Sequence, residues 1–436
     1  MNQLLRVGKT VSLMPGGTAC AILGFVGGGG QGEVYRVRFA GHEMALKWYF
    51  PRAASAEQRR SLEELVQLGA PTERFLWPQQ VVDTPGASGF GYVMPLRPAG
   101  HRSMNDHVTR KVRPTWRALA TTGYYLADSF FQLHARGLAY RDISFGNVFF
   151  DPATGNALVC DNDNVGIDGR SGGIAGTPRF MAPEIARGDG IAQPSTETDL
   201  FSLAVLLFYL FMIHHPLEGK KESTIRCMDQ PAMRKLYGTE PVFIFDEHDR
   251  SNEPVPGLHD NALIFWPLYP PFLRDLFAQV FTEGLYDPQK RVRENQWRTA
   301  MIRLRDCIFP CGNCGRENFF GGPPNCAWCR QPLVNPMRLH FTADMQPVLC
   351  TGSEIYLYHV EESRSLNSIA FTDPVAVVTR HPAHPEIPGL RNLTAVEWTA
   401  TTTDGTMRQV GPSKSITLSP GLRINFGARL GVVMNA

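Results

Sequence analysis

Asp142 and Asn147 stand five residues apart in Tyr140-Arg141-Asp142-Ile143-Ser144-Phe145-Gly146-Asn147, directly before the apolar run Val148-Phe149-Phe150. This spacing joins a carboxylate able to accept a proton to an amide oxygen able to ligate a hard cation, and phosphoryl transfer is a chemistry that uses both. Alone, R-D-x-x-x-x-N is a weak signal. Its weight comes from further segments arranged around it in order.

Upstream, Val26-Gly27-Gly28-Gly29-Gly30-Gln31-Gly32-Glu33-Val34 satisfies G-x-G-x-x-G-x-V, with Gly27, Gly29 and Gly32 on the spaced positions. Glycine suits a turn that must bring backbone N–H groups close to phosphate oxygens. Met44-Ala45-Leu46-Lys47 follows at strand-to-strand distance and ends an apolar strand on a charge. Residues 54–68 predict an amphipathic helix with Leu62, Leu65, Val66 and Leu68 as its apolar positions. Its acids are candidates to hold Lys47: Glu64 first, with Glu63 and Glu57 as alternatives.

Downstream, residues 149–160 read as strand, Pro/Gly turn and strand, a hairpin that delivers Asp161 in the triplet Asp161-Asn162-Asp163. A hard oxygen ligand there suits Mg²⁺, and Asp163 is the rival candidate. Gly176-Thr177-Pro178-Arg179-Phe180-Met181-Ala182-Pro183-Glu184 follows, and Asp199 opens an apolar helix reaching about Ile213. That apolar run is far short of the roughly 20 residues a membrane span needs. Arg291 is a candidate ion-pair partner for Glu184.

Over residues 20–306 these motifs resemble a bacterial Hanks-type (eukaryotic-like) Ser/Thr protein kinase. The resemblance implies an α+β fold with a bilobal kinase domain over residues 1–306, the N-lobe over about 1–95 and the C-lobe over about 96–306. It implies ATP between the lobes, with Gly27, Gly29 and Gly32 over the phosphates and Lys47, paired to Glu64, gripping them. Val34, Ala45 and Phe149 would enclose the adenine, with Met94 as gatekeeper and Leu96 in the hinge. Asp142 would be the catalytic base, Asn147 and Asp161 the Mg²⁺ ligands, and Asp199 the anchor of the catalytic loop. Thr177 would favour Ser/Thr acceptors, and Ser171 or Thr177 would be autophosphorylated. Two positions depart from the pattern: Ser144 replaces the usual Lys, and Asn162 replaces the Phe of D-F-G. These departures define an alternative, a nucleotide-binding pseudokinase that serves as a scaffold.

Cys311, Cys314, Cys326 and Cys329 form C-x₂-C-x₁₁-C-x₂-C, the spacing of two knuckles that close a tetrahedron around structural Zn²⁺, and predict a zinc ribbon over residues 307–332. Residues 333–436 alternate apolar and polar positions between turns, including 354–360, 375–378, 396–401, 415–418 and 422–427, which predicts an all-β sandwich or barrel. Residues 418–427 bear a faint resemblance to the end of a forkhead-associated domain, but no matching phosphate-binding Arg/Ser/His set stands earlier. The module therefore reads as a generic β unit for binding or for docking on the kinase. In the scaffold alternative, it and the zinc ribbon would dock protein partners.

A net charge of +2 over 436 residues gives no reason to expect a nucleic-acid or membrane partner, and 43% hydrophobic content supports packed cores. Scattered remaining cysteines, and no N-terminal apolar stretch of signal-peptide length, predict a cytoplasmic chain. Residues 219–266 resemble those of a group of bacterial signalling kinases with zinc-ribbon modules. That resemblance implies a metal-dependent Ser/Thr phosphatase and a von Willebrand A-type protein as partners, beside the protein substrates.

Overall fold

A computed structural model describes residues 4–169, 176–361 and 369–435; Ser171 lies outside the described residues. Six antiparallel strands build the N-terminal lobe: β1 (Thr10–Leu13), β2 (Thr18–Gly28), β3 (Gly32–Phe39), β4 (His42–Tyr49), β5 (Gln80–Val82) and β6 (Gly91–Pro95), in the order β1-β2-β3-β4-β6-β5. Strand alternation sorts the side chains, so that Tyr35, Val37 and Phe39 are buried while Arg36 and Arg38 face solvent. Those side chains pack with Ile22, Leu46 and Val93, whereas Tyr49, Val81 and Tyr92 pack with Leu62 of helix α1 (Ala56–Leu68). Ser55 caps α1 by accepting the Gln58 N–H at 3.0 Å.

The second lobe is built on α2 (Trp116–His134), α3 (Thr196–Met212) and α4 (Glu294–Asp306). Helices α2 and α4 approach closely because Gly123 has no side chain; a Cβ there would lie 2.6 Å from Met301 Sδ. Every residue of α3 from Thr198 to Met212 is buried, which explains its continuous apolar sequence. Among the described residues no helix is long and apolar enough to cross a membrane. The hairpin Val148–Phe150/Ala157–Val159, in register Val148↔Val159, carries the chain from Asn147 to Asp161.

A two-stranded unit, Ile308–Pro310 with Glu317–Phe319, brings together the four spaced cysteines. It is seated on the second lobe by aromatic contact: Trp116 stacks on Phe319 at 4.5 Å and meets Trp328 at 5.7 Å. The C-terminal region forms a six-stranded and a four-stranded sheet around Leu339, Ile355, Val378, Leu390, Trp398 and Ile424. Residues 354–360, expected to be one strand, divide into a strand at Glu354–Tyr356 and a helical turn at Leu357–Val360. The reason is tertiary: His359 Nδ1 accepts the Tyr356 N–H at 2.9 Å, while Nε2 meets Asp306 of α4 at 3.1 Å.

Arg305 completes that junction. Its guanidinium donates to Thr121 Oγ1 at 2.9 Å and Tyr356 Oη at 3.0 Å, and lies 4.0 Å from the Phe371 ring centroid. Arg305→Ala removes a buried charged donor shared by α2 and the β module, so denaturant unfolding should show a loss of about 2–3 kcal/mol in stability.

Candidate active site

Between the lobes lies a cleft of about 570 Å³ whose lining includes Gly27, Gly29, Gly32, Val34, Ala45, Lys47, Met94, Leu96, Asp142, Asn147, Phe149 and Asp161. The strand pairing accounts for this convergence. Lys47 is opposite Val34 on β3 and Tyr92 on β6, and Ala45 is opposite Met94, so alternate side chains of β4 face the cleft. Phe149 presents its ring from the hairpin, with the Arg97 guanidinium 3.9 Å from its centroid. Leu76, Cys160 and Asn164 also line the cleft and had no motif to announce them.

The glycines divide into two kinds. A Cβ on Gly32 would lie 2.2 Å from the Trp48 carbonyl oxygen, so this position is closed by the neighbouring strand itself. Cβ atoms on Gly27 and Gly29 would meet nothing within 4 Å. Their side of the loop is open space, which leaves room for a bound group.

Lys47, only 6% exposed, reaches Asp161 Oδ1 at 2.5 Å and Asp163 Oδ2 at 2.7 Å. The expected pairing with Glu64 is therefore corrected. Glu64, Glu63 and Glu57 are all exposed, and Glu63 instead accepts from Arg59 at 3.0 Å. Helical phase explains the difference: Gln58, Leu62 and Leu65 fall on the inward face at spacings of four and three, and the three acids fall off it. Gln58 thus occupies the inward position, with Nε2 at 3.3 Å from Tyr49 Oη and 3.2 Å from the Asp163 carbonyl. The apolar spacing of α1 was the signal that could have identified Gln58.

Asp161 sits in the left-handed region, φ 57°, and turns the chain so that both carboxylates of the triplet meet one ammonium. Asn162, fully buried, pins the turn by donating Nδ2 to the Leu76 carbonyl at 2.9 Å. Tyr49 Oη donates to Asp163 Oδ2. Burial disfavours charge on Asp163, but Lys47 and the Tyr49 hydroxyl hold it below the usual carboxylate range. Burial and the adjacent Asp163 charge push Asp161 up to about 6, against the pull of Lys47. Burial also opposes the charge on Lys47, yet the two carboxylates raise its pKa above the ordinary value.

Across the cleft Asp142 Oδ1 accepts the Thr177 hydroxyl at 2.8 Å, and Asn147 Nδ2 donates to the Asp142 carbonyl at 2.8 Å. With its nitrogen engaged, Asn147 keeps its amide oxygen as a donor to a cation. Asp199 holds the loop from behind, accepting the backbone N–H of Tyr140 at 2.5 Å and of Arg141 at 2.9 Å. His134 Nε2 reaches Asp199 Oδ2 at 3.2 Å while Nδ1 meets Glu294. Farther out, Arg291 and Glu184 form a two-pronged pair at 2.8 and 2.7 Å.

The four cysteines form a second centre. Their sulfurs lie within 4.8 Å of one another, with Cys311–Cys329 and Cys314–Cys326 at 3.7 Å. A tetrahedron with metal–sulfur bonds of roughly 2.3 Å has edges of about 3.8 Å, which this set matches. Burial opposes ionisation of Cys326, but nearby N–H donors from Cys329, Trp328 and Asn318 bring it down to about 6.

A family model described as a protein kinase domain matches residues 21–292. The chain is 28% identical over 215 residues to the DNA damage-responsive serine/threonine-protein kinase RqkA of Deinococcus radiodurans, covering 47% of this chain and 31% of that one. It is 36% identical over 118 residues to CBL-interacting protein kinase 4 of Oryza sativa, covering 26% and 25%. Against the cell cycle serine/threonine-protein kinase CDC5/MSD2 of Saccharomyces cerevisiae it is 27% identical over 199 residues, covering 40% and 25%. The chain spans less than a third of the length of these curated relatives.

The His134 bridge gives the loop anchor a pH dependence. Burial opposes its charge, but Asp199 and Glu294 raise its pKa from 6.5 to about 9. The imidazolium's contribution to stability is thus complete below 6.5 and fades as pH rises through about 9. Thermal unfolding should find the gap in melting temperature between the native chain and His134→Gln widest at about pH 6, shrinking from there as pH rises and smallest toward about pH 10.

Proposed function

The chain belongs to the protein kinase family, and we propose that it transfers the γ-phosphoryl group of Mg-ATP to Ser and Thr hydroxyls of proteins. The observation that carries this reading is the convergence of Lys47, Asp142, Asn147 and Asp161 on one cleft of nucleotide size. Adenine lies against Val34, Ala45, Met94, Leu96 and Phe149, and Lys47 directs its ammonium to the phosphates. The acceptor oxygen bonds to the γ-phosphorus as the bond to the bridging oxygen breaks. ADP departs, and the hydroxyl proton passes to Asp142. Thr177, hydrogen-bonded to Asp142, orients the carboxylate beside the acceptor.

The residues present fit magnesium. Asp161 and the Asn147 amide oxygen supply hard donors, and two carboxylates sharing one ammonium leave an excess of negative charge that a divalent cation offsets. When bound, the metal neutralises charge on the phosphate oxygens.

Ser144 favours the alternative of a nucleotide-binding scaffold, because it leaves the loop without the customary cation. One experiment separates the two. With labelled ATP and Mg²⁺, Asp142→Asn should incorporate about 10²-fold less phosphate than the native chain or lower still. Equal incorporation by the two chains, or none by either, rejects catalysis.

The cysteine centre supports a structural Zn²⁺ site, since four thiolates fill a tetrahedron and leave no ligand position for substrate. Elemental analysis should find about one zinc per chain. Cys326→Ser should lower that content and the melting temperature together, because the metal holds the face against which Trp116 stacks.

A further inference from the structure

Lys47 needs a carboxylate to hold it extended toward the phosphates, and α1 supplies none. The inward position of that helix is the neutral Gln58, and the acids around it are exposed. The only carboxylates that meet the ammonium among the described residues are Asp161 and Asp163. The two are not equivalent. The Asp161 side chain is 37% exposed and lines the cleft, whereas the Asp163 side chain has no exposure and is no part of the cleft lining. Asp163 also receives the Tyr49 hydroxyl, and Tyr49 lies on the same strand as Lys47, two residues on.

We propose that Asp163 is the positioning residue for Lys47, taking over from the turn of the triplet the role that a helix glutamate would play, and leaving Asp161 to the nucleotide side. This inference rests on the function proposed above. Its consequence is regulatory: the placement of Lys47 depends on the Asp161-Asn162-Asp163 turn, which Asn162 pins to Leu76 and Gln58 ties to α1, and not on a carboxylate carried by α1.

The test relocates the carboxylate. Gln58 shares the Tyr49 hydroxyl with Asp163, so Gln58→Glu places a negative charge in the same pocket from a different element. Labelled-phosphate incorporation and the affinity for a fluorescent ATP analogue with Mg²⁺ are measured on the full chain, with thermal unfolding to check that each variant folds. Asp163→Asn should lose about 10²-fold in incorporation. Adding Gln58→Glu should recover roughly tenfold or more, and Glu64→Gln should stay within about twofold of the native chain. Native activity in Asp163→Asn overturns the proposal, as does a folded double variant no better than the single one. If Asp163→Asn does not fold, the double variant decides: folded and active, it supports the proposal, and unfolded or inactive, it overturns it. A native chain that binds the analogue but incorporates no phosphate rejects phosphotransfer alone. The positioning role is then read from affinity, which should weaken in Asp163→Asn and return in the double variant; an unchanged affinity overturns it.

Discussion

A lysine ammonium buried at the junction of two lobes is the interaction on which the cleft depends. Removing such a charge from water costs several kcal/mol, and the structure offsets this with two carboxylates at 2.5 and 2.7 Å. Lys47 is delivered by the edge-to-edge register of β3, β4 and β6, while the carboxylates come from a single left-handed turn at Asp161. Neither partner is stable there alone, so the strand register and the turn constrain each other. The lobes meet where charge requires it.

From that turn the constraint passes into the second lobe through backbone groups. The hairpin from Val148 to Val159 links Asn147 to Asp161, so one short sheet sets the separation of two candidate metal ligands. Asp199, at the start of α3, takes the N–H groups of Tyr140 and Arg141, and His134 ties Asp199 to Glu294 at the start of α4. A buried ionic chain of this kind costs desolvation, and its return is a fixed loop geometry in front of Asp142.

The two smaller modules use the same helices as their seat. The cysteine unit rests on Trp116 at the start of α2, and the β module rests on Arg305 and Asp306 at the end of α4. Because α2 and α4 are packed together through Gly123, both contacts bear on one rigid pair. His134, at the far end of α2 from Trp116, is the point where that pair touches the loop anchor.

Much of the cleft was legible in the chain because its backbone requirements are local. Glycine at position 32, an Asp and an Asn five apart, and a hairpin that ends on Asp161 each state a short-range geometry, and the cysteine spacing states the four-sulfur cluster in the same way. The strand alternation of the C-terminal region likewise announced two-sided β structure, although the turn at Leu357–Val360 formed where His359 found Asp306. The partner of Lys47 was not legible. Motif resemblance pointed to an acid on α1, yet helix phase turned Glu57, Glu63 and Glu64 to solvent and brought Gln58 inward. Residue type and spacing determined which groups could do chemistry. Which carboxylate meets the lysine was decided only when strands, helix and turn packed together, because a buried charge selects its partner by three-dimensional proximity and not by position in the chain.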